Sequence, residues 1–579
     1  MSETPKTPGL QEVRPPLREL LTIAVPTIAT MASFSAMQFV DALMVAQIGP
    51  EPAYVAAQGN GGMTNWVVLS VFFGVTSVIN TYVSQNLGAG TAERGARYAW
   101  AGIWGGVATW PLMLVAAALV PLLFGGVEVF GLTLGFNHTG ELRRLETSYA
   151  QVLLVGSLLK LVVKPISEFH FGIHKPSVVT YAVVASNLAN VVANYVLIFG
   201  RVSVPALDPH VPGWSAVTEL LRPIDDALPP LGVTGAAYGT LVGYAVEIAI
   251  QLLVFLGPRY NAAYQTRAAA RSWRREARDI ARLGWPAGLQ MGSETVCWWI
   301  LTGYLLGAGG AAAARAAGIT DPALVAEAAE VENAVGWIAL RYMHASFMPT
   351  VGLSIAITAI VGRYMGMNRP DIAERRSWYA LAVAGGYMGL CAVLMVVLRE
   401  PLIALFVDDS APPAARERML DVGGKVMIAG ALFQLFDSVG IMLIGSLRGA
   451  GDTKWPGVAA VVCGWVFIVG MGFGIVELLP ELGSLGPWIG AAVFIAVLGV
   501  TMLARFVFGP WRTYRLTEGG GDASTPGEPG EPGSERDGFE GRATNDLAGQ
   551  ATLAGATPSV TAGEPLAERG HETPDGLSL

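Results

Sequence analysis

"VSQNLGAGTAERGARYAW" (residues 83–100) and "VGRYMGMNRPDIAERRSW" (361–378) align without a gap. Each begins at the end of a long apolar run, passes through a polar turn and enters another apolar run. Two proline pairs extend the match. Pro26 in "IAVPTIATM" corresponds to Pro286 in "RLGWPAGLQM", and Pro176 and Pro456 each open an outward-running helix. The offset of 260 to 280 residues takes in six apolar runs. An even number of spans keeps both copies in the same orientation, so the repeat is parallel, about an axis along the membrane normal.

The composition agrees with a chain that lives in lipid. Of 579 residues 52% are apolar and only 14% charged, with a mean hydropathy of +0.47; a soluble chain carries about 25% charged residues. Apolar runs long enough to cross about 30 Å of hydrocarbon fall near 20–48, 54–87, 98–124, 147–172, 177–200, 232–257, 282–309, 333–365, 377–398, 422–447, 456–478 and 486–508. The alternating segments of a β-barrel are absent from the sequence. The fold class expected is therefore an all-α polytopic membrane protein, with twelve transmembrane helices arranged as two six-helix bundles.

Charge sets the orientation. With the N-terminus and the even-to-odd loops inside, the inner loops collect about 22 Lys and Arg against about 8 outside, and residues 259–282 alone supply seven. The positive-inside rule then places both termini in the cytoplasm. The expected divisions are a cytoplasmic N-terminus (1–19), a first lobe (20–257), a basic inter-lobe linker (258–281), a second lobe (282–515) and a tail (516–579). The arginines of the linker suit an amphipathic helix on the inner membrane surface. From Thr517 onward the tail holds 12 acidic and 3 basic residues among Gly, Pro, Ser and Thr, so it accounts for the net charge of −8 and reads as disordered. Cys297, Cys391 and Cys463 lie in apolar runs without paired spacing, which offers neither a disulfide nor a metal framework. The first run is too long for a cleavable signal.

Carboxylates inside such runs cost about 2.5–3.5 kcal/mol each at mid-bilayer, and so point to ion or proton handling. Asp437 in "FQLFDSVGIMLIGSLRGAGDTKWP" (433–456) precedes Arg448 by eleven residues, and Glu294 follows Leu283 by eleven. Both therefore lie about 16 Å from the inner surface, able to share one cation. In the first half, Asp41 lies at a depth that permits a cluster with Asn190 and Asn194 of the fifth span, which are four residues apart on one face. Asn187 shares that face, and Gln38 precedes Asp41 by one turn. Lys160, Lys164 and Glu168 recur every four residues on the fourth span. Glu168 with Lys164 reads as a snorkelling pair near the inner end, and Glu247 is at a depth to partner Lys160. Arg341 and His344 form another polar patch on the eighth span. Pro26 removes a backbone hydrogen bond, which makes it a candidate hinge.

"VDALMVAQIG" on the first span, "VSQNLGAG" after the second, "NVVANYVLIFG" on the fifth and "SLRGAGDTKWP" after the tenth together resemble the multidrug and toxic compound extrusion (MATE) family, over about residues 15–510. The resemblance implies a V-shaped central cavity and export of organic cations in exchange for Na⁺ or H⁺, without a cofactor. It implies coupling roles for Asp41, Glu294 and Asp437, with Glu294 and Asp437 matching the acids that contribute to cation binding in NorM-type members and standing as candidate Na⁺ ligands. It makes Gln38, Asn187, Asn190 and Asn194 lining residues of the first-lobe cavity. Archaeal-type proton-coupled members carry an aspartate where this chain has Asn194. Lys160 and Arg341 match no motif of the family, and with Glu247 and His344 they stand as unassigned intramembrane charges.

The implied setting is the cell (inner) membrane, with small organic cations and the lipid bilayer as partners and no nucleic acid. Because one chain supplies both halves of the pathway, a monomer is the expected working unit. A rival within the same superfamily is a flippase for a lipid-linked precursor, to which Lys160, Lys164 and Arg341 would offer cationic contacts. A channel or an enzyme has less support: no filter sequence or nucleophile–base set stands out, and the glycine clusters lack a P-loop lysine.

Overall fold

The computed structural model describes residues 15–49, 52–129, 132–134, 136, 138–200, 230–405 and 413–516. Residues 1–14 and all but the first residue of the acidic tail lie outside them. The first half comprises α1 (Pro16–Ala46), α2 (Pro52–Gly88), α3 (Ala92–Gly125), a short antiparallel hairpin of β1 (Val127–Val129) and β2 (Leu132–Leu134), α4 (Gly140–Gly156), α5 (Leu158–Gly172), α6 (Pro176–Phe199) and α7 (Gly232–Leu256). A short helix α8 (Pro258–Tyr264) and a 3₁₀ turn at Ala268–Arg271 lead to the second half. This contains α9 (Arg274–Ile300) and α10 (Leu306–Ala316), joined by a π turn at Leu301–Leu305, then α11 (Pro322–Gly366), α12 (Pro370–Val397), α13 (Arg399–Ala404) and α14 (Pro413–Ala450). The chain closes with α15 (Lys454–Cys463), a π-helical stretch Gly464–Met471, α16 (Gly472–Leu478) and α17 (Leu485–Phe508). Pro16, Pro176, Pro322 and Pro370 each stand at the first residue of a helix, where no N–H is needed.

Among the described residues eleven helical stretches are long and apolar enough to cross a membrane. The expected fourth span is the exception. It is divided at Ser157 into pieces of 17 and 15 residues. A Gly–Ser pair is a recurrent place for a helix to bend, and Gly156 lets Leu241 of α7 come within 2.3 Å of where a β-carbon would stand. The hydrogen bonds carry on through the break, from Ser157 N–H to Leu154 O and from Leu161 N–H to Ser157 O. Several helices outrun their apolar stretches: α11 starts eleven residues before the expected 333, because its polar first turns do not register in hydropathy.

The repeat in the sequence is also a repeat in the backbone. Thr91 N–H bonds Asn86 O after α2, and Arg369 N–H bonds Tyr364 O after α11. Gly90 (φ 77°) and Asn368 (φ 59°) hold the same left-handed position in those turns. The turn after α5, Lys175 N–H to His170 O, recurs after α14 as Asp452 N–H to Leu447 O. Pro176 opens α6, whereas Pro456 is the third residue of α15, so the two prolines match more loosely than their sequence context suggests.

Equivalent residues also touch. A β-carbon on Gly88 would lie 2.0 Å from Arg363 O, and one on Gly366 would lie 2.0 Å from Gln85 O. Gly88 is the repeat mate of Gly366, and Gln85 of Arg363. The ends of α2 and α11 thus cross in a pseudo-two-fold contact that only glycine permits. Around it the halves exchange helix ends. Leu20, Ile23 and Ala24 of α1 pack in the core of the second half, while their equivalents Ile280 and Leu283 of α9 pack in the core of the first. Hydrogen bonds cross the same region: Thr81 Oγ1 to Arg448 O (2.9 Å), Gln85 Nε2 to Gly449 O (3.0 Å) and Thr27 Oγ1 to Gly352 O (2.8 Å). Glu19 joins them. It accepts from Arg376 Nε at 2.8 Å and from the Tyr364 hydroxyl at 2.9 Å, and both Glu19 and Arg376 are buried.

Replacing both Gly88 and Gly366 with alanine is expected to push α2 from α11. Thr81, wholly buried in the native chain, serves as the reporter. A Thr81→Cys residue, in a background without the native cysteines, should be slow to react with a permeant maleimide and become readily labelled when the two alanines are added.

Candidate functional site

Asp41 lies on the last quarter of α1, facing α6. Its Oδ1 accepts a 2.6 Å hydrogen bond from Asn194 Nδ2, which also donates to Asn190 Oδ1 at 3.2 Å. Asn190 Nδ2 reaches Thr240 Oγ1 of α7 at 3.5 Å. Close packing holds this group together: a β-carbon on Gly239 would lie 1.9 Å from Asn194 Oδ1, so α7 can approach only with glycine there. Tyr149 of α4, bonded to Gln58 and Thr240, faces Asp41, as does Tyr244 of α7. Asn187 is not part of the cluster. Its amide donates to Ser33 O (3.0 Å) and Ser33 Oγ (2.7 Å), tying α6 to α1. Gln38 is exposed one turn before Asp41. The carbonyl of Pro26 accepts from Thr30 and, at 2.8 Å, from Thr180 of α6. Far from ending α1, this proline is braced by hydroxyls.

In the second half Glu294 of α9 and Asp437 of α14 lie within each other's field. Glu294 accepts from Gln290 Nε2 at 3.2 Å and also faces Arg448. Gln290, Arg448, Asp452 and Thr453 pack together between α9, α14 and α15. Among the described residues no three His, Cys, Asp or Glu side chains gather as a metal cluster. Two carboxylates and an amide make a short list of hard oxygen ligands, suited to a transient monovalent cation or a shared proton.

Lys160 Nζ donates to Glu247 Oε2 at 2.8 Å, and Lys164 bonds Glu168. The second pair departs from the snorkelling expected of it. Glu168 is buried and faces Arg448 of the other half, because α5 lies at the seam between the halves. Arg341 and His344 are exposed on α11, the histidine stacked on Phe347 at 6.0 Å. Sequence reasoning passed over Glu19, which hydropathy leaves just outside the first span. It also passed over Glu146, a buried carboxylate bonded to His138 (2.8 Å) and Asn60 (3.1 Å). The signal for Glu146 was available, as a lone acid at the mouth of an apolar run.

Two interlocked helical bundles, each with an acid inside a membrane-length helix, define a polytopic membrane protein of the carrier kind. The comparisons narrow that class. The MatE family profile matches residues 26–196 and 315–473, and the chain belongs to that family. It is a NorM-like transporter and not an enzyme. It is 25% identical over 495 residues to a probable multidrug resistance protein NorM of Deinococcus radiodurans, covering 85% of this chain and 95% of the relative. To its namesake in Pseudomonas aeruginosa it is 26% identical over 501 residues, covering 86% and 90%. Among solved structures, a multidrug resistance MATE family transporter in an outward-facing conformation shares the fold at TM-score 0.67 and 20% identity, over 86% of this chain and 96% of that one. A transporter from Pyrococcus furiosus, described as having reversed polarity in its binding pocket, matches at TM-score 0.67 and 19% identity over the same shares.

Asn194→Leu is expected to remove the donor that Asp41 relies on, at a cost of about 1–3 kcal/mol. Asn187→Leu, which removes only the amide donor to Ser33, should cost about 0.6 kcal/mol. Unfolding midpoints in detergent micelles rank the two.

Proposed function

We propose that the protein exports organic cations by antiport against Na⁺ or H⁺, with Glu294 and Asp437 holding the driving ion and Asp41 acting in the first-half cavity. The observation that carries this reading is that Asp437 lies in the field of a second carboxylate, Glu294, whose own hydrogen-bond partner is the Gln290 amide. Two carboxylates so placed repel unless a cation or a proton lies between them. An entering ion neutralises them; a cationic substrate competes for the same field. Coupling follows if the two ligands favour different conformations.

The contacts between the halves support an alternating-access cycle. The crossing of α2 and α11, the exchanged ends of α1 and α9 and the Glu19–Arg376 pair all tie the halves together. With the charge bias of the loops, that end is the cytoplasmic one and both termini are cytoplasmic. Rocking the two lobes would separate these contacts. The Glu19–Arg376 pair would then enter water, which offsets part of the lost attraction. The setting proposed is the inner membrane, with a monomer as the working unit and the lobes meeting at the 258–281 linker. The pairing of Lys160 and Lys164 with carboxylates speaks against the flippase, which would need free cations for a pyrophosphate.

The test is ethidium export from proteoliposomes under an imposed Na⁺ or H⁺ gradient. The wild type should export under one of them, while Asp437→Asn and Glu294→Gln lose most of the gradient-driven rate. Normal coupling in both variants would pass the role to Asp41. No export under either gradient would overturn the cation reading, and flipping of a lipid-linked pyrophosphate would become the assay.

A further inference from the structure

The internal repeat gives Lys160 a counterpart. Ten residues before His170 O, which closes the turn after α5, stands Lys160; ten residues before Leu447 O, which closes the same turn after α14, stands Asp437. The helix is unbroken over both intervals. One position therefore carries an acid in the second half and an ammonium in the first. Lys160 shares its stripe of α5 with Glu168, whose charge is felt by Arg448 of the other half.

The surroundings of the ammonium are more than a neutralising partner. Nζ sits 2.8 Å from Glu247 Oε2 and 4.3 Å from the centroid of the Tyr244 ring. The other oxygen of Glu247 accepts from Gln251 Nε2 at 3.2 Å, and Gln251 in turn accepts from Ser167 Oγ at 2.9 Å. The carboxylate is thus held by a fixed frame on one side and offered to a cation on the other. A carboxylate beside an aromatic face is the usual acceptor set for an organic ammonium, the ring attracting the cation more strongly once both are desolvated. Lys160 keeps 15% of its side chain exposed while Glu247 keeps 5%, so the cation is the accessible member of the pair. Tyr244 lies within the field of Asp41 as well as that of Glu247, so this site and the Asp41–Asn194 cluster are neighbours.

We infer that Glu247 and the Tyr244 ring form a binding site for the positive group of a substrate, and that the Lys160 ammonium occupies it as a tethered stand-in when no substrate is bound. The inference rests on the cation-export reading and adds a subsite to it. An organic cation enters by displacing the ammonium, whose four-carbon arm lets it swing aside. Because a tethered competitor acts at high effective concentration, small cations are excluded. Only cations that also bury apolar surface displace it. When such a cation leaves, the ammonium returns and Glu247 is never left buried without a partner.

The test is equilibrium binding of ethidium, read by fluorescence anisotropy, to the full chain in lipid nanodiscs. Lys160→Gln is expected to bind about tenfold more tightly than wild type, Lys160→Arg to bind like wild type, and Lys160→Gln with Glu247→Gln to lose the gain. Tyr244→Leu in the otherwise native chain keeps the Lys160–Glu247 bond and should bind several-fold more weakly; it decides the matter should Lys160→Gln not fold. Unchanged or weaker binding by Lys160→Gln, or unchanged binding by Tyr244→Leu, in a protein whose wild type exports ethidium, overturns the subsite and leaves the export reading intact. If wild type neither binds nor exports ethidium, both readings fall.

Discussion

The crossing of α2 and α11 at Gly88 and Gly366 is the contact on which the rest of the arrangement depends. Between helices in lipid there is little hydrophobic drive to associate, so close backbone approach at small residues carries the packing. Here that approach occurs twice, through equivalent atoms, because each glycine packs on the repeat mate of the residue that its own partner meets. The contact is self-complementary and all or none, since opening one copy opens the other. The exchanged starts of α1 and α9 hang on it.

Charges inside the bundle follow a consistent economy. Lys160 and Lys164 are each matched to a carboxylate, Glu19 to an arginine, and Asp41 to an amide. Glu294 too is matched to an amide, that of Gln290, and Asp437 lies in its field. The repeat sets one position against itself, since the place that holds the ammonium of Lys160 in one half holds the carboxylate of Asp437 in the other.

Much of this was legible in the sequence. The gapless match of 83–100 with 361–378 leads straight to the turns at Gly90 and Asn368. The four-residue spacing of Asn190 and Asn194 leads to their hydrogen bond, and the common depth of Lys160 and Glu247 to theirs. What spacing cannot give is the angle at which two helices cross. Asn187 shares a face with Asn190 and Asn194, yet the slant of α6 across α1 carries it to Ser33 instead. Glu168 reads as a surface residue because hydropathy cannot say that α5 lies on the seam. The break at Ser157 depends on Gly156 packing against Leu241, a contact 85 residues away in the chain. Glu19 was hidden by a boundary drawn at the first apolar residue.

The two π-helical stretches have no counterpart among the described residues of the first half. A π turn takes up one residue more than the α-helix it interrupts. The helix formed by α9 and α10 is pinned at both ends, by Thr453 on Leu283 O and by Gly309 against Gly483. Its surplus residue at Leu301–Leu305 lies between the pins. Such a bulge can slide along a helix by trading one weak hydrogen bond for the next, and neither end need move. The second half thus carries slack that the first lacks, and a strut with slack can twist on its axis while its anchors stay put.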